Sequence, residues 1–258
     1  MEKSRQNIAD EGAAGKSFWY KTRSSVRHSL RVAVFSVAPI RRLLEREPAS
    51  PAENKSNWNE LLSDTRFGTY LGATIRIDVT NVMTATLIKY HSIASPTVLD
   101  VGCSGGTLPL TLASFKDYLG TDVSSHAIDV AEADTALAKD IESGRVRFKV
   151  TDLRSFNPEG ATWDVMVFNE VLYYLKCDQA VEQVQRYANS LSAGGIICIS
   201  MKNDGKSRAI FSMLLKKFDW IDGMLFQQKA TKPHYSIDLS RERSAVLLGV
   251  ICRKQHAE

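Results

Sequence analysis

From Thr97 onward the chain alternates short apolar runs with segments whose apolar residues recur every three or four positions. Thr97-Val98-Leu99-Asp100-Val101 suits a buried parallel strand. Residues 117–122, 146–150, 163–168 and 195–201 read as four more strands. Helices are expected over 108–115, 124–139 and 179–191, the second with Ser124 or Ser125 as N-cap. This β-α rhythm predicts an α/β protein with a doubly wound sheet and right-handed crossovers. Upstream, 58–72 and 74–91 read as helices. In the second, Ile75, Val79, Val82, Met83 and Thr86 recur at helical spacing, and Ser95-Pro96 ends it. Downstream, 218–228 and 245–252 are strand-like with no convincing helix between them. Parallel pairing needs a crossover, so these two are expected to pair antiparallel. The expectation is a mostly parallel seven-stranded sheet with an antiparallel C-terminal strand pair.

The N-terminal part has a different texture. Residues 1–15 are mixed polar and acidic, unlike a secretory leader. Between 16 and 46, Lys16, Lys21, Arg23, Arg27, Arg31, Arg41, Arg42 and Arg46 face Glu45 alone. Phe18, Trp19, Tyr20 and an apolar run ending at Pro39 lie among them. One reading is a basic amphipathic segment touching a membrane surface or a polyanionic partner. The other, which is the expectation, is a tail or a helix over the active site whose charges are simply solvated. Glu47 to Asn54, with its prolines and small polar residues, reads as a linker. The organisation expected is a basic segment and linker over 1–54 and one domain over 55–258, in which 55–95 supply helices able to act as a lid.

Composition narrows the class. Of 258 residues, 44% are hydrophobic and 24% charged, which excludes wholesale disorder. No stretch approaches the about 18–20 apolar residues of a membrane-spanning helix. A net charge of +4 is too mild to imply nucleic-acid binding and is compatible with an anionic small substrate. Cys103, Cys177, Cys198 and Cys252 form no CxxC pair, which points to reduced thiols and a cytoplasmic setting. The five histidines form no metal-binding pattern, and no metal site is expected.

The strongest chemical signal is the turn Asp100-Val101-Gly102-Cys103-Ser104-Gly105-Gly106, which leaves a strand. Glycines there let a bulky ligand lie against the backbone. Asp122 ends the next strand, about 20 residues on, where a carboxylate can accept both hydroxyls of a ribose. A nucleoside-bearing cofactor is therefore expected. The nicotinamide fingerprint would need glycine at 102, 104 and 107, whereas the chain has Gly102, Ser104 and Thr107. The Gly-Lys-Ser/Thr of a phosphate-binding loop is absent from this turn.

Residues Val98 to Gly106 resemble motif I of the class I S-adenosylmethionine-dependent methyltransferases. Tyr118 to Ser124, Arg147 to Leu153 and Trp163 to Leu175 are similar to motifs II, III and IV, in the family's order. Leu191 to Ser200 resembles the turn and fifth strand that follow. The resemblance covers roughly Thr97 to Met201 and implies a Rossmann-like methyltransferase that uses S-adenosyl-L-methionine. It implies that Asp100, Gly102, Ser104 and Gly106 line the methionine and ribose side, with Asp100 toward the α-ammonium. Cys103 belongs to the same turn, as a small buried packing residue rather than a thiolate. Asp122 would hold the ribose, Val123 pack on adenine, Asp152 accept from the adenine amino group, and Leu153 offer its N–H. Asn169 would lie at the ligand end of the fourth strand. Ser104 departs from the family's usual middle glycine. Asn169-Glu170-Val171-Leu172 replaces the Asp/Asn-Pro-Pro-Tyr of enzymes that methylate nucleobases or amides, which disfavours such acceptors. The string Asn169 to Leu175 is similar to N-methyltransferases of the nodulation-factor type.

Methyl transfer from a sulfonium needs alignment and exclusion of water. A hydroxyl acceptor also needs a base; an amine needs only to arrive unprotonated. Glu170, Tyr173 and His234 are the candidates near the reacting methyl, with Tyr174 and Tyr235 beside them, and core packing is the alternative for the tyrosines. A small polar or sugar-like acceptor is expected under a lid from 58–70 and 228–238. The alternatives are a methyltransferase acting on RNA or protein, and an inactive cofactor-binding subunit.

Overall fold

A computed structural model describes residues 35, 37–64, 77–91, 93–227 and 245–254. Among the described residues three helices come first: α1 (Ala38–Leu44), α2 (Pro51–Ser63) and α3 (Ile77–Tyr90). Then follow β1 (Thr97–Val101), β2 (Asp117–Asp122), α4 (Ser125–Glu132), α5 (Ala138–Glu142), β3 (Val146–Val150) and β4 (Trp163–Asn169). The chain continues through α6 (Cys177–Ala188), β5 (Leu191–Lys202), α7 (Gly205–Leu214), β6 (Phe218–Gln227) and β7 (Ala245–Arg253).

The seven strands form one sheet in the order β3-β2-β1-β4-β5-β7-β6. β1 to β5 pair parallel, and β7 pairs antiparallel with both β5 and β6. Alternation along the central strands sends side chains to two cores. Leu99, Met166, Phe168 and Ile197 pack against Val181, Val184 and Tyr187 of α6 and Ile210 and Leu214 of α7. Val98, Val165, Val167 and Cys198 pack with Leu87 and Ile88 of α3. Strand order reverses between β1 and β4, which opens a crevice at their carboxyl ends.

Several elements differ from expectation. The helix expected over 108–115 is a single 3-10 turn, Leu108–Leu110, because the Thr111 hydroxyl donates back to the Leu108 carbonyl at 2.7 Å. The helix over 124–139 breaks into α4 and α5 where Asp134 accepts from the Ala136 N–H. α7 was not read from the sequence; Asp204 caps it by accepting from the Ser207 N–H. The stretch 47–54 is a linker only as far as Ser50. There a capping box with Glu53 and Pro51 in the first turn start α2, which crosses the boundary read at 54/55. Residues 65–76, which hold the rest of the helix expected over 58–72 and the start of the one over 74–91, lie outside the described residues. The face read on α3 is also corrected: Val82 and Thr86 are exposed, and Thr80, Asn81 and Thr84 are buried.

Most of the basic segment over 16–46 lies outside the described residues. Two of its charges are not simply solvated: Arg41 and Arg42 donate to Asp178 at the start of α6, at 3.0 and 3.1 Å. Glu45 accepts from the Cys177 N–H at 2.7 Å and so caps α6. Among the described residues no helix is long and apolar enough to cross a membrane. All four cysteines are unpaired.

Candidate active site

A cleft of about 590 Å³ opens at the carboxyl ends of β1, β2 and β4. Its floor is the turn after β1. Gly102 has a φ of +79° and lies under Val171, which a Cβ there would approach to 3.0 Å. Ser104, with a φ of +49°, keeps the left-handed bend that a glycine would make without strain. Its N–H donates to Asp122 Oδ2 at 3.0 Å, and the Ser124 N–H donates to Oδ1 at 2.8 Å. Asp122 thus pins the turn to the start of α4. Burial raises its pKa, and these backbone donors oppose the rise.

Asp100 lies below the turn, almost wholly buried. Its Oδ2 accepts from the Tyr118 hydroxyl at 2.7 Å, and its Oδ1 is buried with no partner. Burial pushes its pKa up to about 7, against the Tyr118 hydrogen bond and assisted by the nearby charge of Asp122. Cys103 lines the cleft while its Sγ fills the space left by the missing Cβ of Gly120; burial drives its thiol far from ionisation. Gly106 is the correction in this turn. It does not line the cleft; a Cβ there would sit 2.7 Å from Ala131 and from the Phe148 ring. Its glycine serves packing against α4 and β3.

Val123, Asp152 and Leu153 line the far end. Asp152 is already engaged: Arg154 donates to both of its oxygens, and Asn54 of α2 donates to Oδ2 at 3.3 Å. Burial works against its charge, but Arg154 outweighs it and holds the carboxyl below the usual range. The Leu153 carbonyl accepts from Arg186 and Tyr187. At the near end Asn169 donates to Asn81 of α3 at 2.9 Å. Glu170 follows with a φ of +56°, its Oε2 accepting from the Tyr173 hydroxyl at 3.0 Å. Burial pushes Glu170 up to about 7, opposed by Tyr173 and by the charge of Lys202. Trp58, Tyr173 and Tyr174 complete this wall, with Tyr174 4.7 Å from Tyr173 and 5.1 Å from Trp58 between ring centres. His234 and Tyr235 lie outside the described residues, as do Arg66, Phe67 and Tyr70 of the expected lid. Trp58, the described lid residue, does reach the cleft.

A family model described as a methyltransferase domain matches residues 99–197, the span that carries this turn and the strands around it. Residues 99–197 of this chain are thus similar to the methyltransferase-domain family. It is 24% identical over 157 residues to a carboxy-S-adenosyl-L-methionine synthase of Helicobacter hepaticus, covering 59% of this chain and 60% of that protein. It therefore spans less than two thirds of the curated relatives it matches. Among solved structures it is similar to the N-methyltransferase NodS from Bradyrhizobium japonicum with S-adenosyl-L-homocysteine. That match has a TM-score of 0.53 at 20% identity, over 70% of this chain and 87% of the other. The magnesium protoporphyrin IX methyltransferase from Synechocystis with bound cofactor gives 0.55 at 15% identity, over 81% and 100%. These likenesses show the fold.

The residues of the cleft fit S-adenosylmethionine. S-adenosylmethionine carries an ammonium, a sulfonium and a ribose, and the cleft presents an unpartnered buried carboxylate oxygen, a left-handed turn without a Cβ, and a carboxylate ending β2. Sequence reasoning missed Thr80, Asn81, Arg154 and Lys206, all of which line the cleft, and of the strap from Leu44 to Ala49 it anticipated only that the segment ending at Arg46 could lie over the site. Polar residues on the inward face of α3 were a usable signal for the first two. Asp122→Ala is expected to weaken S-adenosylhomocysteine binding about tenfold, since a ribose contact and the anchor of the Ser104 N–H go together. Calorimetric titration checks this, and unchanged affinity would place the ribose elsewhere.

Proposed function

We propose that this chain transfers a methyl group from S-adenosylmethionine to an O or N nucleophile of a small molecule, a sugar or other polar metabolite. The observation that carries the reading is that one cleft joins Asp100, Asp122 and Asp152 to Asn169, Glu170 and Tyr173. Donor and acceptor ends are thereby continuous. Asp100 Oδ1 would accept from the cofactor ammonium, Asp122 from the ribose hydroxyls, and Val123 would pack on adenine. Asp152, with the Leu153 N–H, would meet the adenine edge, sharing its oxygens with Arg154 and Asn54. Gly102, Cys103 and Ser104 would line the methionine and ribose side. The cofactor supplies a methyl already activated on sulfonium. The remaining task of the chain is to hold the nucleophile in line and keep water out, and Trp58 with the strap narrows the mouth for that purpose.

The test incubates purified chain and labelled cofactor with a cell extract separated into small molecules, RNA and protein. Label is expected in the small-molecule fraction; label confined to RNA or protein would replace the acceptor class, and no label with intact cofactor binding would indicate an inactive subunit. Similarity to the carboxy-S-adenosyl-L-methionine synthases favours a second reading, in which the cofactor itself is the product. Mass spectrometry of the cofactor in the same reaction reads that as the gain of a carboxyl group.

A further inference from the structure

Two carboxylates lining the cleft each keep one oxygen that is buried and unpartnered: Asp100 Oδ1 and Glu170 Oε1. A buried carboxylate oxygen without a donor is costly, and a ligand cation is the partner that offsets most of that cost. The cofactor has one ammonium, which Asp100 serves in the reading above. Glu170, at the acceptor end, has the charge and backbone N–H of Lys202 near it, but its Oε1 keeps no hydrogen-bond partner, which a second ligand cation would supply.

Its surroundings select the kind. Glu170 is held in a left-handed conformation, with its other oxygen under the Tyr173 hydroxyl. Such strain in a non-glycine residue is characteristic of a functional position. Tyr173, Tyr174 and Trp58 stand together along the same wall. Aromatic rings beside a carboxylate bind organic ammonium groups through their π faces. The Tyr173 ring already receives one: Lys202 Nζ lies 4.7 Å from its centre. The other charge near Glu170 is Asp204, which pairs with Lys202 at 3.8 Å; Lys206 lines the same cleft from α7.

We propose that the acceptor is an amine, bound as its ammonium by Glu170 among Trp58, Tyr173 and Tyr174, and that Glu170 removes the proton blocking its lone pair. This rests on the methyltransferase reading. The N–H proton passes to the Glu170 carboxylate. The freed lone pair forms the N–CH₃ bond as the C–S bond breaks, its electron pair staying on sulfur. The product leaves as a methylated ammonium, and the proton on Glu170 returns to solvent. An alkylammonium, with a pKa of about 10, yields its proton to a carboxylate titrating near neutrality far more readily than an alcohol does.

The full chain with S-adenosylhomocysteine bound is titrated calorimetrically with benzylamine, tetramethylammonium and benzyl alcohol. Both cations are expected to bind better than the alcohol. Glu170→Gln should weaken both by about tenfold while keeping S-adenosylhomocysteine affinity. Should Glu170→Gln fail to fold, Trp58→Leu carries the test, because α2 buries no residue; weaker tetramethylammonium binding is expected there. Equal binding of benzylamine and benzyl alcohol, or cation binding that neither variant weakens, overturns the proposal. Failure of the wild-type chain to bind S-adenosylhomocysteine removes the methyltransferase reading beneath it as well. A second measurement splits a small-molecule extract and acetylates the amines of one half. Labelled methyl is expected only in the untreated half, and equal labelling of both overturns the proposal.

Discussion

Asp100→Asn is expected to make the free protein more stable above neutral pH while removing most of its cofactor binding. The wild-type carboxyl titrates at about 7 when folded and near 3.8 when unfolded. Between those values the folded chain holds a proton that the unfolded chain has released. Stability therefore falls as pH rises through that window and levels off above it. Asparagine has no charge to desolvate and can still accept from the Tyr118 hydroxyl. Its cost is a buried amide N–H₂ where the unpartnered oxygen was. The variant should therefore gain roughly 1–3 kcal/mol over wild type at about pH 8 and lose that advantage at about pH 5. Glu170 contributes a similar slope to both proteins, so the difference between their melting curves isolates Asp100. Cofactor affinity should drop about tenfold or more, because a charge-assisted bond to the ammonium is lost. Parallel stability profiles would show that Asp100 is ionised throughout. Unchanged affinity would remove it from the ammonium.

Gly102→Ala and Gly106→Ala are expected to fail in opposite ways. At Gly102 the added methyl meets Val171 at 3.0 Å and adopts a positive φ, a strain of about 1–2 kcal/mol. Val171 neighbours Glu170 and itself lines the cleft, so the displacement is spent where the cofactor must lie. A modest fall in Tm with a loss of S-adenosylhomocysteine binding of about tenfold or more is the expected result. At Gly106 the methyl lands 2.7 Å from Ala131 and Phe148, which are held by α4 and β3. Overpacking there should cost roughly 2–4 kcal/mol of stability, and the folded fraction should still bind cofactor. Thermal melts with calorimetry separate the two; binding lost in Gly106→Ala at unchanged Tm would return that glycine to the site.

β1 and β4 were legible because strands buried on both faces write themselves as short apolar runs, whereas the edge strand β3 showed as the alternation Val146-Arg147-Phe148-Lys149-Val150. The helices were less so. Thr80, Asn81 and Thr84 break the apolar stripe of α3 because that face borders a ligand cavity, so periodicity pointed to the wrong side. That Gly102 and Asp122 meet in one cleft followed from their spacing, which is set by one strand-turn-strand unit. Gly106 shows the limit of that logic: a glycine demanded by packing and one demanded by a ligand are written with the same letter. Arg154 and Lys206 reach the cleft through tertiary placement, and no local pattern marks them.

α2 buries no residue and is held at the rim by side-chain hydrogen bonds, from Asn54 to Asp152 and between Asn59 and the start of α4. Asn54 and Trp58 stand one helical turn apart, the first against the nucleoside end of the cleft and the second against its acceptor end. A nucleoside arriving beside Asp152 competes with Asn54, and whatever shifts Asn54 carries Trp58 with it. An ordered addition, donor before acceptor, is the expected consequence. In steady-state kinetics the demethylated cofactor should compete with S-adenosylmethionine and not with the acceptor.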